Sequence, residues 1–423
     1  MKYNAIINKE NQITASLKLM EELFSQFESS LYLLNGHLFV RNLRDFRKAF
    51  ESNYSNVKIG YSFKTNYVPA LCNLARQQGT LAEVVSGMEY KLALKTGFKG
   101  ESIIFNGPLK EKDELIEAFE NNSLIHFDSY EEIKILKEYL KNNPDKNVRC
   151  ALRCNFDIRE DHISRFGFDA QKREAAGIYN ELFKLKGCNP IGIHCHFSTR
   201  HRSLESYRIR TLRPIQLAKK IFKDHKLHYI DIGGGFFGDM PESIKTLFPY
   251  DVPSFTEYGT EIGLMMREHF PEEDVTLILE PGTSVVANTM CFICKVASIK
   301  TIRSRTIVTL TGGLHNVRPT GTKEDIPFRV IKKSSEKNLV KQAQIGGYTC
   351  METDIISESY SGDISVGDYL LFDNMGAYNI VFKPPFIKEA PPIIMFDKQN
   401  DDLKFKLVRK RETLDDIFSS YIF

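Results

Sequence analysis

Short apolar runs recur along the first two thirds of the chain, each closed by polar or glycine residues and followed by a segment with helical spacing. The runs are VKIGYSFK (57–64), LAEVVS (81–86), IIFNGP (103–108), LIHFDS (124–129), VRCALRCN (148–155), IGIHCHF (191–197), HYIDIGGG (228–235) and TLILEPG (276–282). Their residues are nearly all apolar rather than alternating, as in strands covered on both faces. Between them, stretches such as KEKDELIEAFE and SYEEIKILKEYLKNN place apolar residues at i, i+3 and i+4, one face of a helix. Eight strands alternating with helices predict an α/β fold, a closed parallel (β/α)8 barrel of the TIM type.

Upstream, LYLLNGHLFV reads as two strand-like runs around Asn35-Gly36. Beyond about residue 285, strand-like runs follow one another (MCFICKVASIKTI, RTIVTLTGG, PFRVIKKS, DYLLFDN, YNIVFKP) with little helical signal. The expected division is residues 1–30 as N-terminal strands, 31–283 as the barrel, and 284–423 as a mainly β domain that the N-terminal strands join. The Pro-rich FKPPFIKEAPPIIMF is expected to wrap the surface.

Composition narrows the function classes. The 423 residues are 42% hydrophobic and 26% charged, enough for a large core, and one barrel takes roughly 250 of them. The 57 basic and 54 acidic residues are dispersed and net to +3. That gives no case for nucleic acid and suits a small, acidic molecule as partner. No apolar run reaches membrane-spanning length, and MKYNAIINKENQ lacks the apolar core of a signal peptide, so the cytoplasm is the expected location and no membrane is expected. The eight cysteines fall singly in apolar runs or as the isolated pair Cys291 and Cys294, and are read as buried strand thiols.

A barrel of this kind carries its site at the C-terminal ends of the strands. Those ends are Lys64, Ser86, Asn106, Asp128, Arg153 with Asn155, His196, Gly233 to Gly235, and Glu280. Lys64 is either a snorkelling surface amine or an imine-forming amine at a pocket floor. Gly233, Gly235 and Gly238 formally match the dinucleotide spacing GxGxxG. The Pro-broken DMPESIKTLFPYDVPS follows where a helix and an acidic strand end are needed. The glycines are therefore read as a phosphate cradle. Glu280, just before Pro281-Gly282, is read as a general base, a helix cap or, opposite a pyridine nitrogen, the group that keeps that nitrogen protonated. His194 and His196 share a strand face and Cys195 takes the other. Two histidines without a third ligand do not make a metal site, and no metal is expected.

The blocks YSFKTN, EVVSGMEYKLALKTGF, IIFNGPLK, FDSYEEI, SRFGF, IGIHCHF, DIGGGFFG, EPGTS, TCMETDII and VGDYLLFDNMGAY run in order over nearly the whole chain. In these the sequence resembles the fold-type III pyridoxal-phosphate (PLP) decarboxylases, the group containing diaminopimelate, ornithine and arginine decarboxylases. The resemblance implies pyridoxal 5'-phosphate as cofactor. It makes Lys64 the Schiff-base lysine, stacks His196 on the ring, pairs Glu280 with the pyridinium nitrogen, and assigns the phosphate to Gly233, Gly234 and Gly235 with Thr199 and Tyr378. Arg153, Ser86 and Glu89 match positions lining the site. Cys350 matches the cysteine that reprotonates the decarboxylated carbon from the partner subunit, which implies a homodimer with shared sites. Alanine racemases share the barrel but set an arginine at the ring nitrogen, so Glu280 favours decarboxylation.

The departures concern substrate. Thr283 stands where relatives usually have arginine, and Met351 follows the cysteine where ornithine enzymes have Asp and diaminopimelate enzymes Glu, although Glu352 comes next. GGLHNVRPTG keeps Arg318, but the tyrosine expected near Thr322 is missing. Arg200 and Arg202, just past the His196 strand, either read extra carboxylates or, as lone loop arginines, are solvated, and solvation is the expected reading. The expected reaction is α-decarboxylation of an L-amino acid, or of an amino acid conjugated to another acid in a siderophore or carrier-linked pathway. Arg318, Met351, Glu352 and Tyr378 would face that substrate. Diaminopimelate decarboxylation in lysine biosynthesis is the alternative. A non-catalytic PLP-binding regulator is opposed by the presence of Lys64 and Cys350.

Overall fold

The computed structural model describes residues 16–27, 29–159, 163–198, 201–246, 248–319, 326–382, 386–399 and 402–423. They form two compact units. One comprises the described residues of Met1–Phe39, Met240–Leu247 and Val286–Phe423, the other those of Val40–Asp239 and Phe248–Val285.

In the first unit, α1 (Leu17–Phe27) precedes β1 (Ser30–Asn35). The second apolar run after Asn35 is not a strand but the start of α2 (Gly36–Glu51). The Asn35 side chain accepts the Leu38 N–H at 2.9 Å, so an Asn-Gly that resembles a hairpin turn serves as a helix N-cap. This also removes β1 from the barrel, where the sequence division had begun at residue 31.

The second unit is the barrel. Its strands are β2 (Val57–Ser62), β3 (Leu81–Val84), β4 (Ile103–Phe105), β5 (Leu124–Phe127), β6 (Val148–Asn155), then, after the two-residue β7 (Phe168–Asp169) beside β6, β8 (Cys188–His194), β9 (Tyr229–Asp231) and β10 (Thr276–Leu279). All pair in parallel in the order β5-β4-β3-β2-β10-β9-β8-β6, and β5 pairs with β6 to close the ring. Each expected run supplies one of these strands. Helices α3 (Pro69–Gln77) and α4 (Gly87–Lys95) illustrate the crossovers. α3 starts on Pro69, whose missing N–H is no loss at a first helical position. Inside the ring Ile104, Leu124, Ala151, Ile191, Tyr229 and Ile278 form one apolar cluster, with the polar strand ends above it.

In the first unit a mainly β sheet runs β15 (Ile355–Asp363), β14 (Leu339–Gly346), β12 (Arg305–Leu310), β11 (Met290–Ile302), β1, β17 (Ile393–Gln399), β18 (Asp402–Arg409). β16 (Tyr369–Phe372) joins β11 and β13 (Arg329–Ile331). α1 packs Leu19, Met20, Leu23 and Phe24 on Leu31, Leu33, Ile293 and Leu371. Cys291 and Cys294 are buried free thiols on β11, three residues apart and so on opposite strand faces. Pro392 and its neighbours lead into β17, and Pro392 O accepts the Tyr32 N–H. No described helix is long and apolar enough to cross a membrane.

Candidate active site at the C-terminal end of the barrel

Lys64 lies in a single 3-10 turn (Phe63–Thr65) that stops β2, with Phe63 and Thr65 both buried. Its Nζ is 2.5 Å from Oε2 of Glu83 on β3; the lysine side chain is 30% exposed and the glutamate fully buried. Ser62 Oγ donates to the same oxygen. A charged residue inside LAEVVS was the sequence signal for Glu83, which went unread as a site residue. Beside β4, Asn106 donates through Nδ2 to Glu83 Oε1 at 3.0 Å and to Glu280 Oε1 at 2.6 Å. Its Oδ1 lies 2.6 Å from His126 Nδ1, and His126 Nε2 lies 2.9 Å from the Tyr229 hydroxyl.

Histidine chemistry here is governed by burial. The ring of His194 stacks on His126, centroids 4.4 Å apart at 17°. Burial, then neighbouring positive charge, holds His126, His194 and His196 well below the ordinary imidazole range, so all three are neutral near pH 7. His194 Nε2 is 3.7 Å from Glu280 Oε2, and neither His194 nitrogen has a hydrogen-bond partner among the described residues. Burial and the adjacent Glu280 raise the Asp231 carboxyl well above its usual value. His126, His194, Asp231 and Glu280 each bring a donor atom within 4.8 Å of the others. The further ligands that the sequence did not reveal are therefore present in space. Both His126 nitrogens are already hydrogen-bonded, so that ring offers no free lone pair to an ion.

His196 falls two residues beyond the end of β8 rather than within it. Its Nδ1 accepts the Gly234 N–H at 3.1 Å, and its carbonyl accepts from Arg153 Nη2 at 2.8 Å. Arg153 is 8% exposed and lies 3.8 Å from Asp128. Gly233 and Gly235 have φ of +70° and +95°. A Cβ on Gly233 would meet His196 Nδ1 at 2.7 Å, and one on Gly234 would meet Glu280 O at 2.1 Å. The Gly235 N–H has no partner among the described residues. No helix follows the turn directly: residues 232–241 are irregular, which removes the helix N-terminus a dinucleotide would need.

Ser86 and Glu89 have structural duties. Ser86 Oγ caps α4 by accepting the Glu89 N–H, and Glu89 Oε2 accepts the Val85 N–H in return. Burial lifts the Glu89 carboxyl to about 7. Asn155 ties down its loop through Ser164 O and Phe166 O.

Cys350, Met351, Glu352, Arg318 and Tyr378 belong to the β unit. Arg318 and Met351 line one cavity of about 310 Å³ with His315, Thr349, Asp354 and Phe386, whereas Cys350 and Glu352 are exposed beside it. Arg318 Nε and Nη1 are buried with no hydrogen-bond partner among the described residues. Tyr378 has φ +62°, unusual for a non-glycine residue. Thr199, Arg200 and Thr322 lie outside the described residues.

An amine beside a carboxylate, a carboxylate held by an amide, a neutral imidazole and a glycine turn that no Cβ can enter suit a flat, phosphorylated carbonyl cofactor. Comparison with known proteins defines the class. The family description "pyridoxal-dependent decarboxylase, pyridoxal binding domain" matches residues 37–287. The chain belongs to this family of PLP-dependent decarboxylases. It is 27% identical to diaminopimelate decarboxylase of Aquifex aeolicus over 409 residues, covering 94% of this chain and 92% of that one. It is 26% identical to the L-glutamyl-[BtrI acyl-carrier protein] decarboxylase of Niallia circulans over 420 residues, 95% of each. The crystal structure of diaminopimelate decarboxylase from Methanocaldococcus jannaschii superposes with a TM-score of 0.83 at 23% identity, covering 95% of this chain and 94% of that one, and shows the shared fold.

Proposed function

We propose that this PLP-dependent amino-acid decarboxylase acts on an L-amino acid joined to another acid, a siderophore or carrier-linked precursor, rather than on a free diamino acid. The carrying observation is the cavity shared by Arg318 and Met351. Two buried guanidinium nitrogens with no hydrogen-bond partner among the described residues favour a carboxylate or amide oxygen. A thioether beside them offers no charge to a distal ammonium. The relatives are compatible with either reading: one acts on diaminopimelate, another on a glutamyl-carrier protein.

When bound, PLP draws electrons from the carbon that loses CO2. Around it Lys64 would hold the carbonyl carbon, Glu280 would keep a proton on the ring nitrogen, and His196 would cover the ring face. Gly233, Gly234 and Gly235, with Thr199 and Tyr378, would take the phosphate, and Arg153 and Ser86 would line the site. Cys350 would return a proton to the reacting carbon. We take the working form to be a homodimer in which Cys350 of each chain serves the other, with Glu352 nearby on the substrate side.

The test is CO2 release from free amino acids against their citryl and acyl conjugates. Turnover of conjugates with little on meso-diaminopimelate is expected. Efficient turnover of meso-diaminopimelate overturns the assignment in favour of lysine biosynthesis.

A further inference from the structure

Two carboxylates with different duties converge on a single amide. Glu83 Oε2 holds the Lys64 amine, while Glu83 Oε1 accepts from Asn106 Nδ2. Glu280 Oε1 accepts from the same nitrogen. Carboxylates only accept, so this nitrogen must be the NH2 end of Asn106, and its two hydrogens are both spent. The Oδ1 end then faces His126 Nδ1, which must carry the proton. A neutral His126 is left with Nε2 as an acceptor, and the Tyr229 hydroxyl donates to it. Every proton in this network of five side chains is fixed by the acceptor-only ends.

We propose that Asn106 is a positioning residue that ties the lysine's carboxylate to the ring-nitrogen carboxylate, with His126, in its Nδ1–H tautomer, setting the amide's orientation. This rests on the reading that Lys64 and Glu280 grip the cofactor. The NH2 group bonds both at once and so aims both, and a change in charge at one is felt at the other. His126 cannot reverse the amide without facing Nδ1–H with N–H. The stacked His194 tolerates the arrangement because both rings are neutral.

Three measurements on the holoenzyme and one on the cofactor-free chain test it. Asn106→Leu should keep bound cofactor, lower kcat by about 10- to 100-fold (the loss expected when hydrogen bonds to charged groups are removed) and leave KM within a few-fold. Its lysine-bound cofactor absorbance should titrate at a different pH from that of the parent. His126→Phe should reproduce part of this loss, and His126→Asn, which restores an N–H donor, should recover it. In the cofactor-free chain, long-range 15N–1H NMR correlations should report His126 as the Nδ1–H tautomer. That readout needs no variant to fold and no activity. An Nε2–H tautomer, or an Asn106→Leu enzyme with parental kcat and titration, overturns the proposal. Lys64→Ala retaining the cofactor's visible absorbance would instead overturn the reading it rests on.

Discussion

Lys64 Nζ and Glu83 Oε2 lie 2.5 Å apart, the lysine side chain partly open to solvent and the glutamate sealed among the barrel strands. Glu83 receives Ser62 and Asn106 as well, so its charge is matched on each oxygen. Removing it takes one partner from a lysine, a hydroxyl and an amide at once. Glu83→Ala should lower kcat by about 10- to 100-fold, the scale of lost charge-assisted hydrogen bonds, in a steady-state CO2-release assay. Lys64→Ala should abolish both turnover and the visible absorbance of lysine-bound cofactor.

The glycines separate by what surrounds them. A Cβ on Gly234 would meet Glu280 O at 2.1 Å, so the backbone must move. Gly234→Ala should weaken PLP binding, measured by equilibrium dialysis, and lower the unfolding midpoint. Gly177 sits within the helix Glu174–Lys184 with no atom within 4 Å of an added Cβ. Gly177→Ala should raise stability by about 0.4–1 kcal/mol through reduced unfolded-state entropy.

Glu89 gives the fold a pH dependence. Its carboxyl is raised by burial from 4.5 to about 7. A raised folded-state pKa means that its stability contribution is complete below the unfolded value and is lost as pH climbs through the folded one. In the cofactor-free chain, denaturant titration should therefore show stability falling from pH 4.5 toward 7 by up to about 3 kcal/mol from this residue. Glu89→Gln keeps the side-chain oxygen that caps Val85 and should flatten this decline.

Arg318 and Met351 should determine substrate without affecting cofactor. Arg318→Met should lower kcat/KM for a conjugated acid by about 10- to 100-fold while the visible spectrum stays unchanged. Met351→Asp should introduce turnover of ornithine or lysine, because a carboxylate in the cavity can hold a distal ammonium.

Much of the barrel was legible because its strands are buried on both faces and so read as apolar runs bounded by polar ends. Lys64, Glu280 and the glycine turn stood out for the same reason, at positions where an apolar run stops. Glu83, His126 and Asp231 were equally conspicuous as polar residues inside those runs, yet their partners lie on other strands. Glu83 meets Asn106 across 23 positions, and Asn106 meets Glu280 across 174. Asn35-Gly36 misled because the same dipeptide starts a hairpin or caps a helix, and the deciding hydrogen bond to Leu38 is invisible in a pattern of apolar positions.

Taken alone, the sequence determined the alternation of strands and helices, the barrel it closes and the order of the family's motifs, since periodicity and local turn chemistry act over a few residues. Tertiary structure alone decided which polar groups share a proton network, that His196 lies past its strand, and that Arg318 and Met351 line one cavity. Those facts depend on strand register and burial, which bring distant residues within hydrogen-bonding distance and set their charge.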